Sequence, residues 1–79
     1  MASLTVHNVP LVTVQRLNAE RTIDIARYEE DGYFDRFGYL WALAEEHSIQ
    51  FDTMLEVLTF MPPEEDFDGL VTTLKDFPL

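Results

Sequence analysis

The residues of this chain that could do chemistry are mainly acids, which gather in the second half of the sequence. Eight of them lie within 24 residues, without one intervening base. They are Glu45, Glu46, Asp52, Glu56, Glu64, Glu65, Asp66 and Asp68. Carboxylates in such a cluster can hold a metal ion, keep a protein dispersed in water, or bind a basic partner.

Residues for acid–base or nucleophilic catalysis are few. His7 and His47 are the plausible general bases, and Ser3 and Ser48 are the only serines. Ser48 adjoins His47 in sequence, which does not set up the facing geometry of a catalytic triad. A carboxylate pair for glycoside hydrolysis could be chosen among fifteen acids only arbitrarily. We therefore expect a protein that is not an enzyme and has no cofactor.

The segment 64–69 resembles part of a calcium-binding loop. Counted from Glu64, acids occupy the first, third and fifth positions and Gly69 the sixth. The twelfth position, which should be a bidentate glutamate, is Lys75. The loop pattern therefore fails at its terminal ligand, and we expect no metal site.

Charge is the outstanding property of the sequence. Fifteen acids and five bases give a net charge of −10, with −2 in residues 1–40 and −8 in residues 41–79. Such a balance repels nucleic acid and anionic membranes and attracts basic surfaces. A surface that only keeps a protein soluble usually carries positive and negative side chains mixed together. The lack of bases among these acids therefore favours a partner-binding surface.

Size and composition indicate one small domain spanning residues 1–79. Apolar residues make up 47% of the chain and aromatic residues 13%, which is enough for a packed core. There is no cysteine, which excludes disulfides and thiolate metal sites. The N-terminus lacks a secretory pattern, and the longest nearly apolar run, residues 37–44, is far shorter than the roughly 20 residues that span a bilayer. We expect a soluble intracellular protein.

The N-terminal half is predicted to form strands. Residues 3–7 indicate a short strand, and residues 11–17 and 22–28 are rich in β-branched residues and suit a hairpin with its turn at residues 18–21. Pairing in that register puts four side chains on one face: Val12, Val14, Ile23 and Ile25. That face needs a cover, which the helices must supply.

The C-terminal half is predicted to be helical. The first helix has apolar residues at helical spacing up to Ala44, with its start left open because Gly38 makes residues 33–37 either helical or extended. The second runs from Thr53 to Phe60, with Asp52 as its N-cap. The third follows two prolines and ends near Phe77–Pro78, its apolar stripe being Phe67, Leu70, Val71 and Leu74. The fold class is α+β, two or three N-terminal antiparallel strands covered by three short C-terminal helices.

The segment 42–55 has the rhythm of a DNA-binding helix-turn-helix. Its second helix would expose Asp52 and Glu56, and no base occurs between Arg36 and Lys75, so phosphates would be repelled. Simple packing of two antiparallel helices is the better prediction.

A short, cysteine-free, strongly acidic α+β chain with carboxylates concentrated in one half resembles the small phage-encoded inhibitors that imitate DNA, especially anti-CRISPR proteins of the type I class. The resemblance covers the composition of the whole chain and the acid cluster from Glu45 to Asp68. It implies a protein that binds the basic, DNA-receiving groove of a bacterial surveillance complex and prevents target DNA from docking. The eight clustered acids would form the partner-binding site, in the cytoplasm of the bacterial host cell.

The strand half departs from this pattern because it also carries four arginines: Arg16, Arg21, Arg27 and Arg36. We expect that half to serve folding or self-association as a homodimer. The alternative function is an acidic interaction module of another kind, such as an antitoxin or a phage inhibitor of host transcription. Neither function involves direct contact with nucleic acid or a membrane.

Overall fold

The computed structural model describes residues 5–76, which form a short β-hairpin followed by helices. The strands are β1 (Thr5–Val6) and β2 (Val9–Pro10), and the helices are α1 (Leu11–Ala19), α2 (Ile25–Glu30), α3 (Arg36–Glu46), α4 (Phe51–Leu58) and α5 (Gly69–Lys75), with a 3-10 turn at Pro63–Glu65. The predicted α+β class is confirmed, with two antiparallel N-terminal strands and three helices in the C-terminal half. Within the described residues, every helix is too short or too polar to cross a bilayer.

Part of the first predicted strand, residues 3–7, forms the first strand of the β-hairpin, at Thr5–Val6. Val6 pairs with Val9, and the two loop residues His7 and Asn8 have φ angles of 53° and 67°. Positive φ at both positions gives a two-residue loop whose twist matches that of the strands. The His7 ring stacks on Trp41 of α3, with 4.5 Å between ring centroids, and so holds the hairpin against that helix. Residues 3 and 4 of the predicted strand lie outside the described part of the chain.

The strands predicted over residues 11–17 and 22–28 are wrong, because the chain forms α1 and α2 there. In α1 the buried residues Val14 and Leu17 are three positions apart, whereas Val12 is 71% exposed, so burial follows the helical period and not alternation. β-branched residues are only slightly unfavourable in helices, so a buried stripe outweighs their strand preference.

Helix α3 is the centre of the core and packs against α1, α2 and α4. Two side chains fix its start: Asp35 Oδ1 accepts the Gly38 N–H at 2.8 Å, and Asn18 Oδ1 accepts the Phe37 N–H at 3.0 Å. These bonds satisfy N–H groups of the first turn that have no partner within the helix. The open boundary is thereby settled: α3 begins at Arg36, with Gly38 inside its first turn.

Helix α4 begins two residues before the predicted position. Phe51 is its first residue and is buried, with its ring 5.5 Å from those of Phe37 and Trp41 of α3. Asp52 therefore lies in the first turn and is not the N-cap as predicted; that position belongs to Gln50. Helices α3 and α4 pack against each other, with residues 47–50 between them.

The predicted last helix is interrupted. Pro63 opens a 3-10 turn, as expected for a proline at a first helical position, but α5 begins only at Gly69. Of the predicted stripe, Leu70 and Leu74 are fully buried and the other two residues are half-buried. Helix α5 ends at Lys75, and the predicted end near Phe77–Pro78 lies outside the described residues.

Candidate acidic interaction surface

Residues 63–68, here called the acidic turn, carry four of the eight predicted site residues. Glu64 and Asp68 are exposed, as predicted, and the Glu64 carboxylate accepts a long 3.4 Å hydrogen bond from the Thr22 hydroxyl. Glu65 is half-buried, and its carboxylate accepts the Gly69 N–H at 3.1 Å. Glu65 thus caps the start of α5, where a negative charge is favourable, so it has a structural role beside any partner binding.

Asp66 is the exception among the site residues. It is only 1% exposed, so the prediction that it faces water and binds a partner is wrong. Its carboxylate accepts hydrogen bonds from Arg36 Nε at 2.7 Å, Arg36 Nη2 at 3.1 Å and the Tyr28 hydroxyl at 2.6 Å. A carboxylate is buried in a protein only when paired and hydrogen-bonded, and these donors meet that requirement.

The Arg36 side chain is 2% exposed and joins three parts of the chain. Besides holding Asp66, its Nη1 donates to the Leu17 carbonyl of α1 at 3.0 Å. The Tyr39 hydroxyl donates to the Asp66 backbone carbonyl at 2.6 Å. The acidic turn is therefore attached to the core at Asp66, which directs the neighbouring acids Glu64 and Asp68 outward.

The pKa values of two tyrosines in this hydrogen-bond network, Tyr28 and Tyr39, are raised. Burial raises the pKa of Tyr28, and the hydrogen bond to Asp66 and the negative charge of Asp66 raise it further. Burial also raises the pKa of Tyr39, with the charge of Asp66 as the next cause. Both phenols therefore remain neutral hydrogen-bond donors at physiological pH.

Sequence reasoning missed this network, although its signal is present. Arg36, Leu40 and Ala44 are spaced by four residues, and so are Asp66, Leu70 and Leu74; all six are buried. Each charged residue thus stands four positions before two buried apolar residues, which is helical spacing, although Asp66 itself lies in the turn before α5. This spacing indicates that the two side chains face inward, but it does not show that they pair.

The other four site residues, here called the hairpin acids, lie on α3 and α4 and are all exposed: Glu45, Glu46, Asp52 and Glu56. The first two end α3, and Glu45 lines a shallow groove together with Gln50 and Phe51 at the start of α4. The hairpin thus brings Glu45 beside the first turn of α4, which contains Asp52. On α4 itself, Asp52 and Glu56 are four residues apart and share one face.

Arginines of the first half do approach the acidic turn. The Arg27 guanidinium lies over the Phe67 ring, 4.1 Å from its centroid, and also pairs with Asp31 at 2.8 Å. Arg36 is withdrawn into the core. Among residues 5–76, twelve acids but only three bases are exposed, the bases being Arg16, Arg27 and Lys75.

The acids form no metal site in the described residues: no group of three or more acid or histidine side chains there could hold an ion. In the segment that resembles a calcium loop, the middle ligand would be Asp66, whose carboxylate oxygens already accept bonds from Arg36 and Tyr28. Of the two histidines, His7 stacks on Trp41, and His47 is the half-buried C-cap of α3. What the site presents to a partner is therefore charge.

Comparison with known proteins adds no relative: the chain matches no protein-family model, no curated protein and no solved structure. A proposal about function therefore rests on the surface charges and side chains of residues 5–76.

Proposed function

We propose that this protein is a non-enzymatic inhibitor of the anti-CRISPR kind, which acts as an acidic DNA mimic. It occupies the basic DNA-binding groove of a type I CRISPR surveillance complex in the cytoplasm of the bacterial host cell. The observation that carries the proposal is the imbalance of the solvent-facing charges, twelve exposed acids against three exposed bases in the described part of the chain. A surface of this kind attracts the lysines and arginines that otherwise neutralise phosphates.

The positions of the hairpin acids support a role in binding. Glu45 and Glu46 lie in the last turn of α3, where the helix dipole disfavours negative charge and no base compensates. Asp52 and Glu56 form a like-charge pair on one face of α4, which costs a few tenths of a kcal/mol. Of the four hairpin acids, only Asp52 is favoured by the helix dipole, because it lies in the first turn of α4. Partner binding therefore accounts for the group better than helix stability does.

The geometry of α4 also suits an imitation of a nucleic-acid strand. Four residues of α-helix rise about 6 Å, so Asp52 and Glu56 repeat negative charge at a spacing of the same order as that of neighbouring phosphates. Basic side chains arranged for a DNA strand can therefore pair with successive carboxylates of this face.

The mechanism is competitive occlusion. Attraction between the charged surfaces extends over roughly 8 Å at physiological salt and speeds encounter. Each exposed ion pair contributes only about 0–1 kcal/mol, so affinity requires several pairs and a few buried apolar contacts. The protein itself binds neither nucleic acid nor a membrane, because its charge repels both.

Charge reversal in a DNA-binding assay tests the proposal. Labelled duplex DNA is bound to purified type I surveillance complexes, and its displacement by this protein is followed by fluorescence anisotropy. Replacing the exposed acids of the turn (Glu64→Lys with Asp68→Lys) is expected to weaken displacement by about tenfold or more, because two attractive pairs become repulsive. Asp66 is left intact, since reversing its charge would disrupt the core.

The matched control is Glu29→Lys with Glu30→Lys, which changes the net charge by the same amount at two exposed acids of α2 that are not among the eight predicted site residues. We expect this variant to displace DNA almost as well as the original protein. Equal losses in both variants would mean that overall charge, and no particular surface, is responsible. Absence of displacement from every complex tested would contradict the anti-CRISPR assignment and favour an acidic module directed at another protein.

A further inference from the structure

An apolar groove lies at the end of α4, close in sequence to the acidic turn. The groove has a volume of about 240 Å³ and is lined by Thr53, Glu56, Val57, Phe60, Met61 and Thr73. Phe60 is 82% exposed although it is one of the largest apolar side chains of the protein. Large apolar groups that remain exposed beside a concave surface are typical of binding sites.

The exposed phenylalanine sits on an ordered backbone. The Phe60 N–H donates to the Val57 carbonyl at 3.0 Å, and the Met61 N–H donates to the Leu58 carbonyl at 3.3 Å. Pro62 then leads directly into the acidic turn. The backbone at Phe60 is therefore held in place before any partner binds, which lowers the entropy cost of ordering this segment on binding.

The groove is apolar within an acidic surrounding. Glu56 forms part of its wall, and none of its six lining residues is a base. Asp52 lies one helical turn before Glu56, and Glu64 follows three residues after Met61, against one base near a lining residue in sequence, Lys75, two residues after Thr73. A second copy of this chain, itself carrying a charge of −10, would be repelled from such a surface. A basic segment would be attracted to it.

We propose that this groove is the apolar anchor site of the interaction surface, and that it takes one large apolar side chain presented by a lysine- and arginine-rich segment of the partner protein. The inference rests on the proposed function and deepens it. The apolar side chain packs against Phe60, Met61 and Val57, while basic neighbours in the partner pair with Glu56 and the acids on either side. Interfaces commonly combine a central apolar or aromatic anchor with a polar rim in this way.

Two synthetic peptides test the inference on the intact protein. One is a short lysine-rich peptide with a single central tryptophan, and the other has alanine in its place. We expect the tryptophan peptide to bind about tenfold more tightly, because only its ring can fill the groove. In an NMR titration with this peptide, amide shifts should concentrate at Thr53, Val57, Phe60, Met61 and Thr73.

A pair of phenylalanine variants provides the control. Phe60→Ala should abolish the preference for tryptophan, whereas Phe34→Ala, at a residue that is 89% exposed and does not line the groove, should keep it. Both side chains are mostly in solvent, so neither change should impair folding. Circular dichroism spectra and unfolding midpoints matching the original protein verify this.

The possible outcomes separate this inference from the proposed function. If both peptides bind equally and shift only the surrounding acids, the groove is not an anchor site, and the acidic surface still stands as a binding surface. If neither peptide binds, both the anchor and the wider proposal are contradicted. A dimer of the free protein in sedimentation experiments that Phe60→Ala dissolves would assign the groove to a second copy and overturn a basic occupant.

Discussion

At the scale of single residues, the Arg36–Asp66 pair decides which charges of this chain reach the solvent. The pair withdraws one base and one acid into the core and leaves the remaining acids in large excess outside. Removing one partner of a buried pair strands the other charge without compensation, which typically costs about 3–5 kcal/mol. The pair is thus expected to be among the least tolerant positions of the protein.

We predict that Arg36→Ala lowers the free energy of unfolding by about 3–5 kcal/mol, because Asp66 is then left buried and unpaired. Urea unfolding followed by circular dichroism measures the loss. The control is Arg16→Ala at an exposed arginine of α1, which should change stability by no more than about 0.5 kcal/mol. Similar small effects of both substitutions would show that Asp66 does not depend on Arg36.

Stability is also predicted to fall in alkaline solution. The pKa values of Tyr28 and Tyr39 are raised in the folded protein, whereas a tyrosine in an unfolded chain ionises near pH 10. Their contribution to stability is therefore complete below about pH 10 and decreases as the pH rises above it, because the unfolded state releases these protons first. Urea unfolding at a series of pH values up to about 11.5 measures this dependence.

The variant Tyr28→Phe gives the comparison for this effect. It lacks one of the two phenols, so its stability should decline less steeply above about pH 10. A stability curve that stays flat through this range in the original protein would contradict the buried, neutral state of both tyrosines.

At the scale of elements, the caps explain where the central helix begins. Asp35 accepts the Gly38 N–H and also accepts a hydrogen bond from the Asn18 side chain at 3.1 Å, which joins α1 to the start of α3. Asp52, the N-cap that the sequence suggested for α4, lies in the first turn of that helix. The two aspartates therefore have different structural roles despite similar sequence settings.

We predict that Asp35→Ala lowers the free energy of unfolding by about 1 kcal/mol, within the range of 0.5–2 kcal/mol for loss of a helix cap. The matched change Asp52→Ala should cost only a few tenths of a kcal/mol, because that exposed side chain contributes mainly through the helix dipole. The urea unfolding midpoints of the two variants measure which substitution causes the larger loss of stability. A larger loss from Asp52→Ala would restore the sequence-based assignment of the cap.

The elements also show how far sequence reasoning reaches. The C-terminal helices were predicted correctly in kind, because Leu40, Ala44, Leu70 and Leu74 repeat at an unambiguous helical spacing. The N-terminal half was predicted as strands, since the β-branched residues of segments 11–17 and 22–28 outweighed a short three-residue period. Those helices have nine and six residues, so the period completes too few turns to be decisive.

The candidate site, like the fold, was predicted correctly only in part. The exposure of six of the eight acids was predicted from charge alone, and the structure agrees for them. The burial of Asp66 and the capping by Glu65 depend on partners 30 and four residues away in the chain, Arg36 and Gly69. A contact across 30 residues has no local signature, although the stripe that ends at Asp66 indicates that it turns inward.

At the scale of the whole molecule, the surface carries an excess of negative charge after the two closest ion pairs have formed. The Arg36–Asp66 pair and the Arg27–Asp31 pair together use two bases and two acids. Thirteen acids and three bases remain in the sequence. Folding thus leaves the negative field of the chain largely uncompensated, which suits a ligand for a basic cleft.

The dependence of inhibition on DNA concentration tests occlusion most directly. The concentration of this protein that half-displaces labelled DNA from a type I surveillance complex is measured at several fixed concentrations of DNA. If carboxylates and phosphates compete for the same basic groove, the half-displacing concentration will rise in proportion to the DNA present. A half-displacing concentration that stays constant as DNA is increased would show that the protein acts elsewhere on the complex, and would contradict the imitation of DNA.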